Sequence, residues 1–481
     1  MKKPEAPKEP YKSTKKTPQL LRGMRDTLPK DDKYWRAVYG KAQELADAYG
    51  FGRIDTPILE EASLFTRAVG RQTDIVEKEM YVFEDKDGEK ISLRPEATAS
   101  VVRAYIQHGM LNLPQPVKLW YWGPMFRHDR PQAGRFRQFT QAGYEIIGDD
   151  SPVADAQVIL VAYKFYTELG LPVNVQLNSI GTAEDRTRYK VELVNYYRAN
   201  RSKLCDNCKV RLVKNPMRLL DCKEEGCQPI KENAPRILEF LAEESRKHFM
   251  SLLEYLDELS IPYFLNHTLV RGLDYYTKTV FEIWPEPFTP KAEPVAPVDA
   301  GPGAVLSVSG AVADETPIVI KEKEPKEAEE AKMPAQVALC GGGRYDLLVE
   351  ELGGRPTPAC GVAPGIERAV QQLRMRQLAV PEINKHELFV AQLGELAKRK
   401  ALVLFEMLRL EKIPAAEAFS KGSLKFQLEA ANEKKIPYAL IIGQKEVIDK
   451  TVIIRDMDSG IQETVDFQKV VSAVKRKIGR E

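Results

Sequence analysis

The chain has 481 residues, enough for two or three domains each with its own core, and its 71 basic and 69 acidic side chains nearly cancel. Composition therefore does not mark a nucleic-acid binder, and any contact with RNA has to come from local patches. No apolar run approaches the roughly 20 residues that span a bilayer, no signal-peptide apolar region opens the chain, and six cysteines are too few for a secreted disulfide scaffold; the expectation is a cytoplasmic protein with no membrane contact.

Residues 1–18 are rich in Lys, Pro and Glu and read as a disordered basic tail, either touching RNA or merely solvated. Apolar Trp35, Val38, Tyr39, Ala42, Leu45, Ala46 and Tyr49 recur at helical spacing, which predicts an amphipathic helix over about 31–49 that stops at Gly50. Within residues 53–60 a short strand is followed by Pro57, whose missing ladder donor suits a strand end or edge. Strands and hairpins dominate the pattern over 75–148. Within it, apolar runs at 118–122 and 143–147 flank a loop carrying Arg127, Arg130, Arg135 and Arg137 with the turn residues Pro131 and Gly134, predicting an antiparallel hairpin with a positive tip. Planar guanidinium forks grip two phosphate oxygens at once, so this loop suits a polyphosphate, a nucleic acid or both; the plain alternative is a solvated basic loop.

A helix over about 153–169 and a strand over 173–180 come next, followed by a charged, mostly helical stretch over about 183–258. That stretch holds Cys205, Cys208, Cys222 and Cys227. Such a set can bind zinc as four thiolates, although the second pair is spaced at the loose end of the usual range, and the favoured reading is reduced thiols with no metal. Strands resume at 262–284 and 336–340. Between them, residues 285–335 are dense in Pro, Ala, Glu and Lys and bury too little apolar surface to offset ordering; disorder is expected, with 304–308 and 317–320 able to form a small hairpin. A helix over 365–378 precedes a break at Pro381 and Asn384. In 386–481, strand, helix, helix and strand alternate at 387–391, 395–411, 423–434 and 438–442, predicting a small α/β domain with a largely parallel sheet.

Five motifs stand in one order: Arg-Pro-Glu-Ala-Thr at 94–98, the arginine loop at 126–141, Leu-Val-Arg-Gly-Leu-Asp-Tyr-Tyr at 269–276, Gly-Gly-Gly-Arg-Tyr-Asp at 341–346, and Gly-Val-Ala-Pro-Gly-Ile-Glu-Arg at 361–368. Together they resemble the histidyl-tRNA synthetase family of class II aminoacyl-tRNA synthetases, from about residue 21 to the C-terminus. The resemblance implies a mixed α/β protein. Its catalytic domain, 19–380, would be built on an antiparallel sheet with a helical insertion at 183–258 that reaches the tRNA acceptor stem, and 386–481 would bind the anticodon. The 285–335 segment departs from the family, where this connection is usually much shorter.

The implied reaction joins histidine to ATP as histidyl-adenylate and passes it to the 3' end of tRNA(His). Both transition states crowd negative charge, so preorganised cations should carry much of the rate enhancement. By resemblance Arg127 and Arg271 are catalytic, holding the α-phosphate and the amino-acid carboxylate, and Arg368 holds the far end of ATP. Arg135 and Arg137 would contact phosphates or the acceptor end, with magnesium on the outer phosphates. Glu145 and Tyr276 would read the two imidazole nitrogens, while Glu96, Thr98 and Gln141 accept from the α-ammonium; Ala97 and Tyr275 complete the histidine pocket. Residues 53–60 resemble the class II dimer motif and imply a homodimer, although a core strand would look alike. The bland readings remain: Glu96 as a charge at a helix start, Tyr275 and Tyr276 as one core and one surface residue, and the glycines as packing devices. Rival functions are a silent regulatory paralogue of the ATP phosphoribosyltransferase regulatory subunit type, and a class IIa synthetase for threonine, proline or glycine.

Overall fold

The predicted hairpin is the centre of the fold: Val117–Phe126 pairs antiparallel with Gln138–Ile147, from Val117 opposite Ile147 to Phe126 opposite Gln138. We describe a computed structural model over residues 18–129, 134–288, 337–381, 386–420 and 422–480. The expected tail, the loop tip at 130–133 and nearly all of the 285–335 segment lie outside the described residues. The chain divides into two compact units, 1–380 and 381–481.

In the first unit the hairpin extends into an eight-stranded sheet. Its order is Gly52–Arg53, Val117–Phe126, Gln138–Ile147, Ala359–Pro364, Cys340–Arg344, Thr277–Pro285, Val173–Ser179 and Tyr263–Leu265. Only the two edge strands pair parallel with their neighbours. The expected antiparallel catalytic sheet is therefore present. Side chains alternate across the pleat, and both faces are covered. Trp120, Tyr144, Ile146, Val175, Leu177, Phe281 and Ile283 pack on one face beneath the helices Asp32–Ala48, Pro152–Glu168, Glu243–Glu258 and Ile366–Met375. Val38, Ala42, Leu45 and Ala46 supply the buried stripe of the first of these helices, as the sequence spacing predicts. Leu119, Tyr121, Met125, Ile147 and Val280 face the other way, into a core shared with Thr98–Gln107 and with most of the cysteine-bearing stretch.

Two expectations need adjustment. The region read as strands over 75–148 contains the helix Thr98–Gln107, which starts where Glu96 accepts hydrogen bonds from the backbone N–H groups of Thr98 at 2.7 Å and Ala99 at 3.0 Å. Its Thr, Val, Tyr and Ile residues favour strand by propensity, but capping and burial override that preference. The helical stretch 183–258 also splits between the two faces. Tyr189, Leu193 and Tyr197 join the core that holds the cysteines, while Phe249, Leu252 and Leu256 of its last helix pack on the opposite face.

A buried polar knot ties that last helix to the sheet. Asp155 meets Arg344 Nη2 at 2.7 Å, His248 Nε2 at 2.7 Å and the Thr279 hydroxyl at 2.6 Å. Burial opposes ionisation of Asp155, but Arg344 and His248 overcome it and hold the carboxyl below its ordinary value. Arg344, fully buried, also donates to the carbonyls of Asp149 and Ser151.

The second unit has the strand order Ala415–Glu417, Leu388–Gln392, Tyr438–Ile442, Thr451–Asp456 and Gln462–Asp466. The first three are parallel as expected; the last two form an antiparallel hairpin, so the sheet is mixed. Leu388, Val390, Leu440 and Ile442 enter one core, and Phe389, Ala391, Ala439 and Ile441 the other. Among the described residues no helix is long and apolar enough to cross a membrane.

Candidate active site

Strand alternation builds one wall of a cavity of about 550 Å³. In Gln138–Ile147 the side chains of Phe139, Gln141 and Glu145 share a face and all three border it. Gln141 Oε1 is buried and has no hydrogen-bond partner among the described residues, so an acceptor stands ready for a donor from a bound molecule. Glu145 is 1% exposed; its two oxygens accept from the Thr98 hydroxyl at 2.9 Å and the Tyr345 hydroxyl at 2.5 Å. Burial pushes its carboxyl up to about 8, against the opposing pull of those two hydroxyls.

Glycines on the neighbouring strands make room for these charged groups. Gly361 stands opposite Glu145 in the ladder, and a β-carbon there would overlap the carboxylate. Gly341 does the same for Arg271, whose guanidinium lies where an alanine methyl would project. The Gly341–Gly343 run, expected from its lack of side chains to allow close approach to a ligand-facing loop around Tyr345, is interior strand and makes room for Arg271 and Phe281.

The three expected arginines converge on the same space. Arg127 Nε donates to the Pro95 carbonyl at 2.8 Å, and its guanidinium lies over the Phe139 ring at 5.3 Å. Arg368, in the first turn of Ile366–Met375, donates to the carbonyls of Gly134 and Ala338. Arg271 pairs with Glu282 and lies over the Tyr276 ring at 5.7 Å, while its Nε has no partner among the described residues. Burial works against all three cations. It pushes Arg127 and Arg368 below their ordinary value, with neighbouring arginines adding to the effect, whereas Tyr276 and Glu282 more than offset it at Arg271. Arg127 and Arg368, buried cations short of counter-charge, form a site that a polyanion would relieve.

Of the other expected residues, Glu96, Thr98, Arg135, Tyr275 and Tyr276 also border the cavity. Glu96 uses both oxygens to cap Thr98–Gln107, so its bland reading as a helix-start charge holds alongside its place in the wall. Both tyrosines are buried, with ring centroids 4.7 Å apart, which sets aside the reading of one core and one surface residue. Arg135 pairs with Asp129 at 2.9 Å. Ala97 is buried at the start of the helix and is not in the wall, nor is Arg137. Tyr345 of the Gly-Gly-Gly-Arg-Tyr-Asp motif borders the cavity too, and so do Tyr121 and Glu282, to which sequence reasoning gave no role. Tyr121 sits in an apolar strand run and looks like core; only the alternation Leu119, Tyr121, Gly123 opposite Glu145, Gly143, Gln141 could have exposed it.

The cysteines are gathered as well: the sulfurs of Cys205, Cys208, Cys222 and Cys227 all lie within 4.8 Å of one another. The expected reading is reduced thiols without metal, and the sulfurs stand close enough together to share one ion.

Comparison with known proteins agrees with this architecture. Residues 23–186 match the family described as Histidyl-tRNA synthetase, and residues 387–477 match the family described as Anticodon binding domain. A Histidine--tRNA ligase of Dehalococcoides mccartyi is 40% identical over 461 residues, covering 96% of this chain and 100% of that protein. One from Aquifex aeolicus is 41% identical over 454 residues, covering 94% and 99%. The crystal structure of apo S. aureus histidyl-tRNA synthetase is similar with a TM-score of 0.71 at 32% identity, over 95% of this chain and 99% of that one. From the N-terminal catalytic sheet to the C-terminal α/β unit, this chain belongs to the histidyl-tRNA synthetase family.

Proposed function

We propose that the chain is a histidine--tRNA ligase. It activates histidine with ATP to histidyl-adenylate and esterifies the adenylate's histidyl group onto the 3' end of tRNA(His). The observation that carries this reading is the convergence, on one cavity, of Arg127, Arg271 and Arg368 with Gln141, Glu145 and Tyr276.

In the first step a carboxylate oxygen of histidine attacks the α-phosphorus of ATP, the bond to the β-phosphate bridge breaks, and pyrophosphate leaves. Arg127 and Arg271 would hold the negative charge that gathers there, in a buried setting where fixed donors act more strongly than in water. Arg368 and Arg135 would hold the phosphates farther out, and magnesium would ride on those same oxygens. For the amino acid, Gln141 Oε1, Glu96 and the Thr98 oxygen are acceptors for the ammonium. Glu145 and Tyr276 would satisfy the imidazole, with Tyr275 closing the pocket. A site of buried hydrogen-bonding groups rejects an apolar analogue because its own groups would go unpaired.

In the second step a ribose hydroxyl of tRNA attacks the histidyl carbonyl and AMP leaves. The 386–481 unit would read the anticodon, adding binding energy far from the reacting atoms. Exposed Leu59 and Phe83, on one face of the three-stranded sheet of 59–61, 81–84 and 90–93, offer apolar surface to a second copy of the chain, in keeping with a homodimer. A silent regulatory paralogue is disfavoured by the presence of both the arginines and the C-terminal unit.

The test is ATP–pyrophosphate exchange with each amino acid offered separately. Exchange with histidine alone supports the reading; exchange with threonine, proline or glycine, or with none, overturns it.

A further inference from the structure

The cysteine cluster carries an inference of its own. A zinc ion with four thiolates at about 2.3 Å in tetrahedral geometry holds its sulfurs about 3.8 Å apart. Cys205 and Cys222 are 3.9 Å apart, and no pair among the four exceeds 4.8 Å. All four are free thiols, and Cys208, Cys222 and Cys227 are buried. Each half of the set comes from a tight local turn. Cys205 precedes the helix Asp206–Lys214 and Cys208 lies in its first turn, while Cys222 follows the short turn Pro216–Asp221 and Cys227 ends Glu225–Cys227. The backbone N–H of Cys205 donates to Cys227 Sγ at 3.3 Å, the kind of outer contact that orients a thiolate ligand.

The segment around the cluster buries Leu212, Met217, Leu219 and Leu220 in the core, but its secondary structure is made of short pieces. Apart from Asp206–Lys214 its elements are three to six residues long, too short to persist without tertiary support. Yet it supplies part of the cavity wall, including Cys205, Asn207, Arg218 and Cys222. It also grips the catalytic body. Arg218 meets Asp74 at 3.1 Å, Lys214 meets Glu77 at 3.2 Å, and Asn215 donates to Asp274, within the Arg-Gly-Leu-Asp-Tyr-Tyr string, at 3.3 Å.

We propose that Cys205, Cys208, Cys222 and Cys227 bind one zinc ion as a tetrathiolate, and that the ion holds the 205–227 segment in place as a wall of the catalytic cavity. The four thiols release their protons on binding. Four sulfur donors in tetrahedral array select zinc over magnesium or calcium. The metal half of the proposal stands independently of the amino-acid specificity proposed above; the wall half concerns the same cavity.

Metal analysis of the full-length protein, purified under reducing conditions and gel-filtered, should give one zinc per chain. Cys208→Ser and Cys227→Ser should each fall below about a tenth of that content. If a variant fails to fold, the wild-type protein decides: after exchange with cobalt(II) it should show the intense visible bands of a tetrahedral tetrathiolate. A protein without zinc that gives no such bands, or a folded Cys208→Ser variant with full zinc, overturns the site. For the wall, a mercurial thiol reagent should release the zinc stoichiometrically, and amide hydrogen exchange should then rise at least tenfold in 205–227 while 386–480 stays unchanged. Unchanged exchange in 205–227 after release would overturn the structural role, whatever the activity of the enzyme towards histidine.

Discussion

Replacing Gly341 by alanine adds one methyl group, and the structure places that methyl within the guanidinium of Arg271. The strand itself should accept alanine, because Gly341 is not in the left-handed region and the three atoms nearest the added carbon belong to the Arg271 side chain and not to backbone. The expected consequence is therefore local: Arg271 leaves its seat between Glu282 and the Tyr276 ring, where it now pairs and stacks. If Arg271 stabilises charge in the adenylation transition state, losing one such preorganised donor costs about 2.7–4 kcal/mol, or about 10²–10³-fold in kcat. The assay is histidine-dependent ATP–pyrophosphate exchange on Gly341→Ala, Arg271→Ala and the double variant, with unfolding midpoints alongside. Because the methyl acts through Arg271, the double variant should be no worse than Arg271→Ala alone. Near wild-type exchange by Gly341→Ala, or full additivity in the double variant, would refute this chain of reasoning.

Three further outcomes follow from the same geometry. The Glu145 carboxyl, raised to about 8 by burial, is mostly protonated at neutral pH and ionises as pH rises; if it must accept from the imidazole, the KM for histidine should fall about tenfold between pH 7 and pH 8.5. Glu145→Gln should raise that KM and abolish its pH dependence while leaving the KM for ATP nearly unchanged, and a parallel change in both constants would make Glu145 a framework residue. Arg344→Met leaves Asp155 buried without its cation and should destabilise the first unit by about 3–5 kcal/mol in urea unfolding; a loss under about 1 kcal/mol would contradict the buried-pair account. A chain ending at Val380, the boundary between the two compact units, should still form histidyl-adenylate but charge tRNA poorly, with stronger salt sensitivity; equal charging at low tRNA concentration would assign the last unit a role other than anticodon reading.

Much of this architecture was legible from local pattern. The helix Asp32–Ala48 and the long hairpin announce themselves because one periodicity governs each, and the arginine loop marks its chemistry by residue type alone. The elements that escaped depend on partners distant in sequence. Thr98–Gln107 reads as strand until the Glu96 cap and its buried seat are seen, and the need for glycine at 341 and 361 is set by Arg271 and Glu145 on other strands. The hairpin Thr451–Asp456 with Gln462–Asp466 is short and charged on its outer strand, so it gives a weak alternation signal. For the cysteines, spacing in sequence understated a closeness that only the fold of 205–227 creates. In the site, charged and aromatic residues were readable as candidates, but which of them share a wall was not; Ala97 was carried by its neighbours in the motif, and Tyr121 was hidden in an apolar run.

The central claim is tested most directly by giving the purified chain ATP, magnesium, all twenty amino acids and total tRNA together, then identifying the aminoacyl-adenosine ends by mass spectrometry after nuclease digestion. The account predicts a single ester, histidyl-adenosine, recovered from tRNA(His). An ester of any other amino acid, histidine on other tRNAs in comparable amount, or no ester at all from a protein that binds ATP would contradict it.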